Sequence, residues 1–418
     1  MAGLSGAEPP CGVEINENHG GRPGMIVSLL GLVVSLFAYL IAYPHPDQRR
    51  FDIYIAVFAV HVLCAIAYWL MSFEEAMDAF TYYRDPYGFM RESALKSGTY
   101  FIVHVVQTVR NTLGGSFLDH FLLFQCFGML ALALLIRSFG EIAESLGMRI
   151  PWQVYATMFL PGLHFWSAGI GKDGPMLMAI SLSLWASIRI FRRLPWMVVA
   201  VVIMVLIRTH IAAIAVLAAA TPLVFSKQMS NKARILLTPV AVAALVYVVM
   251  RTVERFNLQL DADSFSDFVE NQQQNGEHHG SGANLQELIF PLKVWSLLFR
   301  PFYVDSPGMM GIAASAENTV LLGIFAYIGY QWRLMLKLLL HVYYLAYAAI
   351  FSSVVIVALA LVNYNLGLGQ RQKMMAVVAV LVIFGSVFMY KRYLRSVGAA
   401  AQLPIAVEGT DQLAPAGA

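Results

Sequence analysis

Charge is what this sequence has least of. Asp, Glu, Lys and Arg make up 13% of its 418 residues while 59% are hydrophobic, against roughly 25% charged in a soluble domain. With a positive mean hydropathy, the composition is that of an integral membrane protein. A formal net charge of +3 with no basic, aromatic-interleaved patch argues against nucleic acid as a partner. Cysteine is scarce too. Cys11, Cys64 and Cys126 lie far apart, and neither a disulfide framework nor metal-ligand spacing follows from them. The polar, acidic first 24 residues lack a basic n-region, so they do not read as a cleavable signal, and the first apolar run is expected to stay as an anchor. No internal repeat is visible to support an inverted-repeat transporter. His61, His104, His164, His210 and His341 show no paired spacing within a helix that would suit haem.

What is there is a succession of apolar runs near the length of a spanning helix, about 17–25 residues. They fall near 25–43, 51–72, 118–139, 153–170, 175–191, 195–207, 211–226, 233–250, 319–332, 341–362 and 374–390. The expected fold is an all-α polytopic bundle of about eleven transmembrane helices. A polar tail covers 1–24, the transmembrane domain 25–396 with long outer loops at 73–117 and 251–318, and a disordered tail 397–418. The block 194–226 reads either as one long buried helix or, preferably, as two short helices turning at Arg208-Thr209-His210, and the short run 319–332 as tilted or partly re-entrant.

If the spans alternate, the short links carrying Arg49-Arg50, Arg137 with Arg149, Arg189-Arg192-Arg193, Lys227-Lys232-Arg234, Arg333-Lys337 and Lys391-Arg392-Arg395 share one side. The positive-inside rule makes that side cytoplasmic, with the N-terminus outside and the C-terminus inside. Both long loops, the Gly171-Lys172-Asp173-Gly174 corner, the Arg208 break and the segment Asn363–Lys373 then all lie on the outer face. Clusters picked out for their polarity alone converge there, which argues for an external site.

Each cluster has a functional and a plain reading. Asp78, one turn from Tyr82-Tyr83, suits a general base beside a sugar platform; the alternative is an interfacial aromatic belt. Lys172 and Asp173 at the edge of a membrane are costly unless paired or used, although Asp173 just before Pro175 also reads as an N-cap. Arg208 inside an apolar block calls for a fixed anion, phosphate or carboxylate, or else it snorkels. His210 is either an acid/base or a polar turn residue. Arg300 between aromatics suggests an anion contact, and Glu317 either a helix N-terminal acid or a second catalytic carboxylate. Arg371 near a helix N-terminus runs against the dipole. His278-His279 form only a weak metal pattern, in a segment expected to be a mobile flap.

Together FWSAGIGKDG, IRTH, LFRPF followed by Ser-Ala-Glu-Asn, and NYNLGLGQRQKMM resemble bacterial polytopic proteins of exopolysaccharide and O-antigen assembly, the O-antigen polymerases and EpsG-like polymerases. The early acidic loop resembles the first outer loop of GT-C glycosyltransferases. The resemblance covers about residues 73–375 and rests on the order of short motifs. It implies a bacterial inner-membrane glycosyltransferase that moves glycan units from a polyprenyl-diphosphate carrier onto a sugar hydroxyl outside the cell. A lipid-linked oligosaccharide is then the substrate, with membrane lipid and other polysaccharide-assembly proteins as partners. No cofactor is implied and no metal site is assigned, with a divalent ion left open. Asp78, Asp173, Glu317 and His210 compete as the base. Lys172, Arg208, Arg300 and Arg371 would stabilise the diphosphate, and Tyr82, Trp166 and Asn318 would contact the glycan. The alternatives are a flippase for the same lipid and a non-catalytic subunit of a secretion complex.

Overall fold

The computed structural model describes residues 25–46, 49–73, 78–225, 288–305, 308–362 and 366–397, and isolated helical positions between 238 and 250. The two tails, Glu74-Glu75, most of the run 233–250, the Lys227-Lys232-Arg234 link, the segment holding His278-His279 and Asn363-Tyr364-Asn365 lie outside the described residues. Among the described residues every regular element is helical. Fifteen helices are used below: α1 Met25–Ala42, α2 Phe51–Met71, α3 Asp78–Arg84, α4 Thr99–Leu113, α5 Phe117–Ser145, α6 Trp152–Ala156, α7 Pro161–Phe165, α8 Asp173–Ile188, α9 Leu194–Ile207, α10 Thr209–Phe225, α11 Phe290–Phe299, α12 Met309–Tyr330, α13 Trp332–His341, α14 Tyr343–Val362 and α15 Leu366–Val397.

Six of these, α1, α2, α5, α12, α14 and α15, are long and apolar enough to cross a membrane; α9, α10 and α11 are apolar but shorter. The protein is thus a helical membrane protein. Large apolar side chains lie exposed along α1 (Phe37, Leu40) and α9 (Val198, Val202), where a lipid solvent needs no polar cover. The centre is α15. Its apolar middle is almost wholly buried, and α5, α8, α11, α12 and α14 pack around it. At 1.5 Å per residue its 32 residues reach about 48 Å, beyond the roughly 30 Å hydrocarbon layer.

Three expectations need correction. The run 153–170 is not one span. Pro161 cannot continue a helix entered from α6, so the chain runs as α6, a 3-10 turn Thr157–Phe159 and α7, with Leu160 extended between them. Backbone polar groups freed in a buried break need partners, and two of them find one here. The His164 ring faces the Met158 carbonyl (2.7 Å), and the Gly162 amide donates to the buried Glu317 carboxylate. Second, the run 319–332 belongs to a 22-residue helix beginning at Met309, because Ala313, Ala314 and Ala316 sustain a helix that hydropathy alone overlooks. Glu317 and Asn318 therefore sit two turns inside α12, not at its lead-in. Third, the loop 73–117 is itself largely helical, in α3 and α4. The split at Arg208 is observed as expected: Arg208 is extended (φ −144°, ψ 90°) between α9 and α10.

The two ends of the bundle are distinct. At one, Tyr43 donates to Tyr155 (3.2 Å) and His45 approaches Glu144 (4.0 Å). The other holds the ends of α2 and α9, the starts of α8 and α15, and α3.

Candidate functional site

The site is assembled at the start of α8. Lys172, just ahead of α8, has helical φ and ψ, and Asp173 is the first residue of α8. No side-chain cap bond forms there; the Asp173 carboxylate is held by two guanidiniums. Arg208 Nη2 donates to Oδ1 at 2.8 Å and Arg371 Nε donates to Oδ2. The three side chains are 13%, 12% and 16% exposed. Of the two readings of Asp173, ion pairing is the one observed.

Arg371 reaches further. Its Nη1 donates to Asp78 Oδ2 at 3.0 Å, so one guanidinium bridges carboxylates from α3 and α8. Asp78 is the exposed member, at 54%. The platform carrying it is firmly set. Gln107 on α4 donates to the Tyr83 carbonyl (2.6 Å) and the Tyr82 carbonyl (3.1 Å), and Arg110 to the Tyr83 carbonyl (2.9 Å). Phe80 stacks on Phe117 with ring centres 4.4 Å apart. Tyr82 is buried, and the Lys172 ammonium lies 6.0 Å from its ring centre. Burial, and after it the nearby Arg208 charge, draws the Lys172 ammonium down to about 8 from its ordinary 10.5. Burial likewise raises the Tyr82 phenol.

Beneath these charges lies a narrow crevice of about 10 Å³, room for about one water, lined by Gly162, Trp166, Asp173, Leu177, Arg371 and Met374, among others. Asp173 and Arg371 line it beside the apolar Trp166, Leu177 and Met374. Three cations (Lys172, Arg208, Arg371) face two carboxylates (Asp78, Asp173), leaving one positive charge in excess.

No family model, curated protein or solved structure matches this chain. The site therefore stands on its own geometry.

The structure brings Asp78, Tyr82, Trp166, Lys172, Asp173, Arg208 and Arg371 together. Of the other predicted residues, Arg300 and Asn318 belong to a second network. Arg300 is engaged bidentately by Asp305 (3.0 and 2.7 Å), and this pairing holds the Asp305 carboxyl below its ordinary range. Asn318 donates to the Pro301 carbonyl (2.8 Å) and Gln370 to the Arg300 carbonyl (2.8 Å). Glu317 is buried, with one oxygen on the Gly162 amide. His210 is half-buried in the first turn of α10, two residues beyond Arg208. The residue sequence reasoning passed over is Lys373. It is fully buried, donating to the Leu298 carbonyl (3.0 Å) and to Asn318 Oδ1. Its spacing gave a clue: two residues from Arg371 on a helix, it must face another side, and α15 is buried on every side. Among the described residues, no three His, Cys, Asp or Glu gather as a metal set.

Proposed function

We propose that the chain is a membrane glycosyltransferase of polymerase type, moving a glycan from a polyprenyl-diphosphate carrier to a sugar hydroxyl at the non-cytoplasmic face of the bacterial inner membrane. The observation that carries this reading is Arg371 bridging Asp78 and Asp173, with Arg208 and Lys172 alongside, above the narrow crevice with its apolar walls. An isoprenoid diphosphate would set its head on these cations and leave its tail in the surrounding lipid. Its departing diphosphate gains negative charge as the glycosidic C–O bond breaks, and preorganised cations stabilise that charge. The acceptor hydroxyl gives its proton to a base as the new bond forms. Asp173, with an arginine on each oxygen, is a poor base and serves as the anchor of the cations. Asp78 is exposed and reaches Arg371 through Oδ2, so it takes the role of base. Glu317 and Arg300, each committed to its own structural partner, support the walls.

The test is the polysaccharide profile of cells expressing Asp78→Asn at normal protein level. Loss of long chains with single lipid-linked units collecting outside supports transfer. Units collecting inside favour a flippase, and an unchanged profile removes Asp78 from the chemistry.

A further inference from the structure

The end of the bundle away from Asp173 carries a second charged cluster that the proposed transfer does not use. Glu141, on α5, is 3% exposed. Arg137, one turn earlier, places Nε 2.7 Å from Oε1. Arg193 Nη2 donates to both carboxylate oxygens at 2.9 Å, and Arg189 Nε stands 3.9 Å from Oε2. Trp185 Nε1 adds a hydrogen bond at 3.0 Å, and the Arg193 guanidinium lies 3.9 Å above the Trp185 ring centre.

One arginine is enough to neutralise one carboxylate. Three around a single Glu leave two positive charges in a half-enclosed place, where they repel one another. The next carboxylate on α5, Glu144, is 46% exposed and contacts His45 at 4.0 Å. The cluster is fixed rather than incidental: Arg193 is 11% exposed and Arg137 19%, while Arg189 is open at 50%. A preorganised pair of guanidiniums with a third at the rim is the donor set that a phosphate takes.

The surroundings point to where the phosphate comes from. Phe191, Leu194 and Trp196, flanking the arginines, are each at least half exposed, and Trp185 lies 6.5 Å from Trp196 between ring centres. Exposed aromatics beside cations mark the headgroup level of a bilayer. The 16 residues of α8 place this cluster roughly 24 Å from Asp173 at 1.5 Å per residue, near the thickness of a hydrocarbon layer. Basic pockets between helices at that level hold anionic headgroups.

We propose that Arg137, Arg189 and Arg193, arrayed on Glu141, form a binding site for a phosphate-bearing anion, filled by the headgroup of an anionic phospholipid in the leaflet opposite the crevice. This site is independent of the glycosyl-transfer proposal and stands if that proposal fails. The test uses the purified full-length protein in nanodiscs of phosphatidylcholine alone, of phosphatidylcholine with phosphatidylglycerol, and of phosphatidylcholine with added inorganic phosphate. Thermal unfolding and mass-spectrometric detection of retained lipid are the readouts. Phosphatidylglycerol should raise the wild-type midpoint and remain bound. Arg189→Gln should weaken that binding about fivefold, the effect of one basic residue near a membrane surface, and Arg189→Lys should keep most of it. Arg333→Gln, a basic residue elsewhere on the surface, should change nothing. If inorganic phosphate stabilises as well as the lipid, the site stands with a soluble occupant. If neither anion distinguishes wild type from Arg189→Gln, or if Arg333→Gln loses as much, the site is overturned.

Discussion

Asp173 and Asp78 share Arg371, yet their substitutions should fail in opposite ways. Asp173 is 13% exposed and pairs with two guanidiniums of similar burial. Changing it to Asn keeps the shape but leaves Arg208 and Arg371 facing each other without an anion between them. Breaking a buried pair by removing one partner costs about 3–5 kcal/mol. The residual exposure here places the loss near the lower end, about 3 kcal/mol. Asp78 is 54% exposed, and an ion pair of that kind is worth about 0–1 kcal/mol. Asp78→Asn should therefore unfold close to wild type while losing glycan transfer. The assay is unfolding of the purified protein in detergent, paired with polymer size in cells. Adding Arg208→Gln to Asp173→Asn should recover part of the loss, since it removes one stranded charge. The reasoning is refuted if Asp173→Asn is as stable as wild type, or if Asp78→Asn is destabilised as much as Asp173→Asn.

Further consequences can be checked alongside. A Cβ at Gly31 would run into the backbone of Leu122 and Leu123 on α5, so Gly31→Ala should lower the unfolding midpoint by the equivalent of about 1–3 kcal/mol, the usual range for overpacking, despite alanine's better helix propensity. Glu317→Ala strands the Gly162 amide and should cost about 1–3 kcal/mol, whereas Glu317→Gln keeps an acceptor there and should lose less in the same melt. Lys172 loses its charge as pH rises through about 8, so binding of a diphosphate should weaken between about pH 7 and 9, and Lys172→Arg should flatten that profile. The same depressed pKa makes the unfolded state the better proton binder up to 10.5, so stability should rise with pH over this interval. Loss of binding there is therefore separable from unfolding by a melt at each pH.

Much of the bundle was legible because membrane helices advertise themselves by length and apolarity. The bounds of α1 and α2 fall within a residue or two of the runs that predicted them, and an arginine inside an apolar block marked the break at Arg208. The stretch from α6 to α7 was not legible. Its hydropathy equals that of a helix, and what decides its path is Pro161 together with two partners distant in sequence, Glu317 and His61. His61 Nδ1 meets His164 Nδ1 at 3.2 Å across 103 residues, a contact no local pattern announces. In the site, alternation of the spans was expected to put Lys172, Asp173, Arg208 and Arg371 on one side, and the structure brings them together. Their division of labour was not legible in the sequence. Asp78 and Asp173 are the same residue type in similar polar corners, and burial is what separates them, at 54% and 13% exposed. Arg300 looked like Arg208 in sequence, but Asp305 five residues on claims it.

The most direct test of the central claim is binding of radiolabelled polyprenyl diphosphate to the purified protein, wild type against Arg208→Gln. Arg208 is chosen because Arg371 still holds Asp173 in the variant. A charge-assisted hydrogen bond is worth about 1.5–3 kcal/mol, so saturable wild-type binding should weaken tenfold or more in Arg208→Gln. Equal affinity in the two proteins, or no saturable binding in either, would contradict the account.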